Sequence, residues 1–426
     1  MKPEDRVVQP AVAQRTQGPA APAPRGYSYA EAAQFIEFCV ELDNQDDRSN
    51  DPQHRNADFW PAIDPSAWNP KPVFDSREAV VRDLLAYRAN PGDASLKPWH
   101  HLYEEILQRA GAHPPKSWDF ADVVADARYN GFGPYQNAWL LYEGVGANAG
   151  AYAVAIRGTV FSAEPSALQD FITQPLKARQ FLSPAVRFAQ SQSAAVHSGF
   201  AHGAFTLLLD ERYGIVPQMA GPRIAAGSRI YLVGHSQGAA LTTLVHAFLH
   251  YAAESGDDVF SLRPKRFVLK SYGFAQPKPG NQDFAADFAS YTQVDDAAIV
   301  INNNIDPVPQ VPLTLQSAGD VASELPNQSW LVKSLQSVAS ISNGLVSLAG
   351  RAFEPAVRKN AEGYGHFYQY ASLRLDASLE VPAGSLNFMP AGHVYSVYGT
   401  PGDPKDIFLQ HHAWTYRKLL KTQLDF

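Results

Sequence analysis

The chain reads as an α/β protein built around a mostly parallel sheet, and two observations predict this. The stretch at 229–251, RIYLVGHSQGAALTTLVHAFLHY, opens with a short β-branched and aliphatic run, as expected of a strand buried on both faces. It then becomes an Ala- and Leu-rich run long enough for about three helical turns. Further apolar runs at 151–156, 267–274 and 299–301 alternate with helical stretches at the spacing of βα units. At 426 residues there is room for one large α/β domain with an accessory layer, or for two domains.

From the N-terminus, residues 1–26 are rich in Pro, Ala and Gln and have no period that could bury a face, which predicts a disordered leader. Apolar spacing through Ala33, Phe35, Ile36, Cys39 and Val40 predicts a helix over 28–42 with Ser28 as its cap. Residues 43–72 read as a surface wrap, and helices are expected at 76–88 and 98–109. Residues 27–135 are thus an α-rich N-terminal layer expected to pack on a 136–426 domain. Trp99-His100-His101 in that layer is not read as a metal site, because adjacent histidines point to different faces of a helix.

The sheet is expected to begin near Trp139, with runs at 138–143 and 151–156 joined by a Gly-rich hairpin or short connection. Residues 160–195 carry Phe161, Phe171, Leu176, Phe181 and Phe188 among polar residues without a core period. They read either as a lid or as an ordinary helix with loops. In 313–361, Leu331, Leu335, Val338, Ile341, Leu345 and Leu348 recur at spacings of three and four. This predicts a helical insertion that either roofs a site or packs on the sheet edge.

A net charge of −7 with no basic run argues against nucleic acid as a partner. The single cysteine, Cys39, has no internal disulfide partner and reads as a core residue. No secretory h-region and no run of 18 apolar residues is visible, so no membrane span is expected. Localisation is left open between the cytoplasm and export by a route without such a signal.

The chemistry is concentrated at Gly234-His235-Ser236-Gln237-Gly238. A residue held between strand and helix in so tight a turn takes an unfavourable backbone conformation, and the glycines on either side let strand and helix approach. Ser236 is thereby pushed out at the carboxyl edge of the sheet, where it is a candidate nucleophile. Asp306 follows a predicted strand and precedes Pro307, as a site acid or as a turn former. His246 and His250 enclose Ala-Phe-Leu, without the Glu that a zinc protease helix requires, and read as packing or surface residues.

Six stretches, in order, resemble the class 3 (fungal-type) lipase family of α/β-hydrolases. They are AIRGT at 155–159, VHSGF at 196–200, VGHSQGAAL at 233–241, YGFAQPKPGN at 272–281, NNNIDPVPQVP at 302–312 and EGYGHFYQYASLRLD at 362–376. The resemblance spans 139–416 and leaves the first 135 residues outside. It implies an α/β-hydrolase fold and a Ser-Asp-His triad in chain order, with Ser236 as nucleophile and Asp306 as acid. His366, His393, His411 and His412 follow Asp306. The family histidine precedes a Leu-Trp-Tyr-like run, which His412-Ala413-Trp414-Thr415-Tyr416 matches best; His412 is therefore the expected base and His411 the alternative. The same resemblance assigns the oxyanion hole to Gln237 and Thr159. The implied activity is hydrolysis of fatty acyl esters, with no metal or organic cofactor, on a lipid or other ester substrate. Phospholipase A1, a short-chain esterase, a thioesterase, and a scaffold retained only for binding remain alternatives.

Overall fold

The computed structural model describes residues 26–47, 61–91, 120–133, 135–160, 166, 169–170, 175–179, 187–310, 388–401 and 409–424. The expected helix at 98–109, the insertion at 313–361 and His366 lie outside them. The elements in order are α1 (Tyr29–Asp47), β1 (Phe74–Asp75), α2 (Ser76–Ala89), α3 (Phe120–Ala125), β2 (Trp139–Glu143), β3 (Ala151–Ile156), β4 (Pro175–Lys177), β5 (Ala195–His197), α4 (Ser198–Leu209), α5 (Ile215–Ala220), β6 (Arg229–His235), α6 (Gln237–Glu254), β7 (Val268–Phe274), β8 (Gly280–Asn281), α7 (Gln282–Thr292), β9 (Ala298–Asn303), β10 (Phe388–Met389), β11 (His393–Val397) and α8 (Ala413–Gln423).

The main sheet has the order β1-β2-β3-β6-β7-β9-β11. From β3 onward all five strands run parallel, and β2 pairs antiparallel with β3 through the expected Gly-rich hairpin. This is the α/β-hydrolase arrangement, a mostly parallel sheet with helices on both faces. A small antiparallel sheet, β10-β8-β5-β4, stands apart from it.

Alternation along the strands divides the core in two. Trp139, Leu141, Val154, Ile156, Ile230 and Leu232 point to the face covered by α4 and α6. Their neighbours Leu140, Tyr142, Ala153, Ala155, Tyr231 and Val233 point to the other, where α1 and α8 pack. Both faces are apolar because both are roofed by helices.

α1 is joined to the sheet by more than apolar burial. Phe38 stacks on Tyr142 with ring centroids 4.1 Å apart, and Phe35 lies 4.8 Å from Tyr231 and 5.1 Å from Tyr272. At its first turn Glu31 accepts from the hydroxyls of Tyr231 and Tyr272 and from Lys270 Nζ. Removing this carboxylate would take from the nearly fully buried Lys270 ammonium an ion-pair partner at 2.7 Å. Further along, Glu37 pairs with Arg417 of α8 at 2.9 Å. One helix therefore holds both the centre of the sheet and the last helix in place.

The helix runs to Asp47, five residues beyond the expected end at 42. Phe188, in a stretch that shows no core period in sequence, is fully buried against Phe205 and Phe248. Its neighbours are supplied by α4 and α6, which no local period could reveal.

Candidate active site

β6 passes into α6 through a single residue, Ser236, at φ 57° and ψ −133°. That region is costly for a side chain larger than glycine, and such strain persists only where surrounding structure imposes it. The imposing contacts are visible. A Cβ on Gly234 would lie 2.2 Å from the carbonyl oxygen of Gly238, and one on Gly238 would lie 2.3 Å from that of Ile156 on β3. Only glycines let the helix start this close to two strands. The Ser236 N–H donates to Phe274 of β7, which fixes the bend against the neighbouring strand.

Ser236 Oγ lies 2.8 Å from Nε2 of His411, and Nδ1 of His411 lies 2.9 Å from Oδ2 of Asp306. All three residues are buried. With Nδ1–H donating to the carboxylate, Nε2 presents its lone pair to the hydroxyl, the tautomer a base needs. Asp306 follows β9 at the carboxyl edge of the sheet. Its other oxygen accepts from the Val308 N–H, and the Tyr416 hydroxyl donates to Oδ2 at 2.7 Å. Tyr416 in turn accepts from the Asn303 N–H, while the Asn303 side-chain amide donates to Gln410. The turn that carries His411 is thus tied to the end of β9 on both sides of the histidine. Burial holds His411 below its ordinary pKa, with His235 and His412 adding to this and Asp306 opposing it.

The histidine that reaches Ser236 is His411, the alternative, and not the expected His412. His412 is the N-cap of α8, half-buried, with its ring stacked on Trp414 at 5.4 Å, whereas His411 points inward from the preceding turn. His393 begins β11, at the opposite edge of the sheet, and pairs with Asp296. His246 donates to or accepts from Ser271, and His250 stacks on Tyr291 at 3.7 Å. A 460 Å³ cavity lined by these two histidines, Tyr291 and Arg266 lies at the far end of α6, away from Ser236.

Gln237 and Thr159 come together, and the residue that joins them is Asp170, which sequence reasoning missed. Thr159 Oγ1 donates to Asp170 Oδ2 at 2.6 Å, and Gln237 Nε2 donates to Oδ1 at 2.8 Å and to the Ser166 carbonyl at 3.0 Å. Desolvation pushes the Asp170 carboxyl up to about 6, while the two donors pull it the other way. The Thr159 hydroxyl is therefore already engaged. The main-chain carbonyl of Asp170 accepts from His197, whose other ring nitrogen accepts from Phe200 N–H at the start of α4. Burial depresses His197 to about 3, so this ring is neutral and structural.

His235, in the same turn as Ser236, was also missed. Its Nε2 lies 2.6 Å from the His411 carbonyl oxygen and its Nδ1 lies 2.7 Å from Asp43 Oδ2 on α1. Among the described residues no group of three or more His, Cys, Asp or Glu side chains could hold a metal, and no helix is long and apolar enough to cross a membrane.

Residues 153–316 match the sequence profile of the family described as Lipase (class 3). A secreted mono- and diacylglycerol lipase, MDL4, of Malassezia globosa is 31% identical over 163 residues, which cover 38% of this chain and 46% of that protein. The chain thus spans about half the length of the curated relative it matches. Similar solved structures include M37 lipase, with 22% identity and TM-score 0.36 over 49% of this chain and 61% of that one. Another is the Lip2 lipase of Yarrowia lipolytica, with 20% identity and TM-score 0.31 over 42% of this chain and 56% of that one. The profile match contains Thr159, Ser236 and Asp306 and ends before His411. Residues 153–316, the stretch that bears the strained turn and the Asp306 loop, are thus similar to the class 3 lipase family.

Proposed function

We propose that this chain is a serine carboxylester hydrolase of lipase type, with Ser236 as nucleophile, His411 as base and Asp306 as the acid that orients it. The observation that carries the reading is the relay Ser236–His411–Asp306, linked at 2.8 Å and 2.9 Å at the end of a strained strand-to-helix turn. As His411 Nε2 takes the hydroxyl proton, Oγ attacks the ester carbonyl and the imidazolium is balanced by Asp306. The proton then passes to the leaving alcohol. Water, deprotonated by the same nitrogen, releases the acid from the acyl-enzyme and returns the proton to Ser236. The tetrahedral oxyanion would meet the backbone N–H groups of Gln237, at the first turn of α6, and Thr159. Because the Thr159 hydroxyl donates to Asp170, its role here is to hold the Thr159 backbone beside Gln237.

The substrate class proposed is the fatty acyl esters of glycerol, in keeping with the family and with the glyceride-lipase relative. The test is labelling with a fluorophosphonate probe, followed by release of fatty acid from monoacyl-, diacyl- and triacylglycerol emulsions. The folded protein should be labelled at Ser236 and should hydrolyse at least one of these emulsions. Ser236→Ala should lose both by about 10⁶-fold in turnover. Labelling without glyceride hydrolysis would move the substrate to a different ester; no labelling would remove the hydrolase reading.

A further inference from the structure

The buried imidazole of His235 is hydrogen-bonded at Nε2, and its Nδ1 lies 2.7 Å from Asp43 Oδ2, an ion-pair approach out of line for a hydrogen bond. A carbonyl oxygen only accepts, so the 2.6 Å approach to the His411 carbonyl requires a proton on Nε2. At Nδ1 the group opposite is the Asp43 carboxylate, which favours a second proton. Burial opposes that charge, but Asp43, Asp306 and the His411 carbonyl together raise the ring above its ordinary pKa. The charged form of His235 is thereby favoured, and its ring lies 4.8 Å from that of His411. It stands apart from the Ser236–His411–Asp306 relay, and the hydrolytic mechanism as derived makes no use of it.

We propose that Asp43, on the N-terminal helix, is a positioning residue for hydrolysis: through His235 it fixes the main chain of His411 and sets the charge balance beside the base. The proposal rests on the hydrolase reading and extends it to the part of the chain outside the 153–316 match. Two effects follow. The first is geometric: the His411 side chain is held by Ser236 and Asp306, and its carbonyl by His235, so the ring is fixed from both ends. The second is electrostatic. An imidazolium at His411 is disfavoured by the charge on His235, so the base stays neutral and ready to accept a proton to lower pH.

The other groups facing this pair are accounted for. Asp306 lies on the far side of His411 and favours its charged form, while His412 from the following residue acts with His235. Tyr416 of α8, whose ring is 5.8 Å from His235, donates to Asp306. On α1, Glu37 is occupied by Arg417. Asp43 Oδ1 also approaches Gly158, lying 3.5 Å from where a Cβ would stand there, so the same carboxylate abuts the loop leading to Thr159.

The test is the rate of fluorophosphonate labelling of Ser236 against pH in the full chain, for the wild type, Asp43→Asn and Asp43→Glu. Asn keeps the shape and removes the charge opposite Nδ1, so the charged form of His235 loses its largest support. At alkaline pH, where His411 is neutral in every variant, Asp43→Asn should label roughly 10- to 100-fold more slowly. Its acid limb should also move up by about one pH unit, because the repulsion of His411 by His235 is weakened. Asp43→Glu, which restores the carboxylate, should bring rate and limb back toward the wild type. Side-chain exposure of 25% at Asp43 makes these variants compatible with folding, and equal melting temperatures check it. An unchanged rate overturns the proposal, as does a slower rate with an unmoved acid limb or with a lowered melting temperature. Failure of the wild type to label at Ser236 is a distinct outcome, which overturns the hydrolase reading and this proposal with it.

Discussion

Two adjacent histidines divide the chemistry and the architecture of the C-terminal turn between them. His411 spans Ser236 and Asp306, and His412 caps α8 against Trp414. His411→Ala should therefore lower turnover about 10⁴-fold or more, since among the described residues no other imidazole is hydrogen-bonded to Ser236. His412→Ala should leave turnover near wild type and cost about 0.5–1.5 kcal/mol of stability as the stacking on Trp414 is lost. Steady-state hydrolysis of a soluble ester, with urea unfolding alongside, checks both; an inactive His412→Ala would reverse the assignment. The placement of Ser236 and Asp306 at the carboxyl edge of the sheet was legible because each sits in a local pattern, a glycine-flanked turn and an Asp-Pro after a strand. The histidine that meets Ser236 was legible only to within one residue, because the motif registers on Trp414 and Tyr416 while inward or outward direction depends on the tertiary turn before α8. Asp170 and Asp43 were not legible at all. Asp170 meets Gln237 across 67 residues of sequence, and nothing around either residue marks the pairing.

At the scale of elements, β3 and its hairpin, α2, β6, α6 and β7 appear where alternation and composition place them, since each buries a face whose period is local. α1 outran its sequence signal: after Leu42 the run Asp-Asn-Gln-Asp-Asp has no apolar residue, yet the helix continues and sets Asp43 against His235. Its integration into the sheet is measurable. Phe38 is fully buried and stacked on Tyr142, so Phe38→Ala should cost about 3–5 kcal/mol in urea unfolding. A loss below about 1 kcal/mol would mean that α1 unfolds apart from the sheet it covers.

For the molecule as a whole, acid is the condition to which the fold is most exposed. His197 and His246 are both depressed to about 3 by burial. The unfolded chain takes these protons near pH 6.5 and the folded chain does not, so the stability they contribute is present above about pH 6.5 and is lost as pH falls toward 3. Between pH 7 and pH 5 each should remove about 2 kcal/mol. Asp170 works in the opposite sense, because its folded pKa is raised; its contribution is full below about pH 4 and is lost as pH rises through about 6, offsetting part of the change. Urea unfolding at the two pH values should show the net loss, and His246→Gln should recover roughly half of the histidine part; equal stability at both pH values in the wild type would contradict the buried neutral assignment.

Assembly of the site has a practical corollary. Ser236 and the imidazole proposed as its base are separated by 175 residues of sequence, so a disordered chain carries the serine without the imidazole. On the proposed function, covalent modification of Ser236 would count molecules whose final helix has docked on the sheet, and a refolding mixture could be titrated for native protein by its phosphonylated fraction alone.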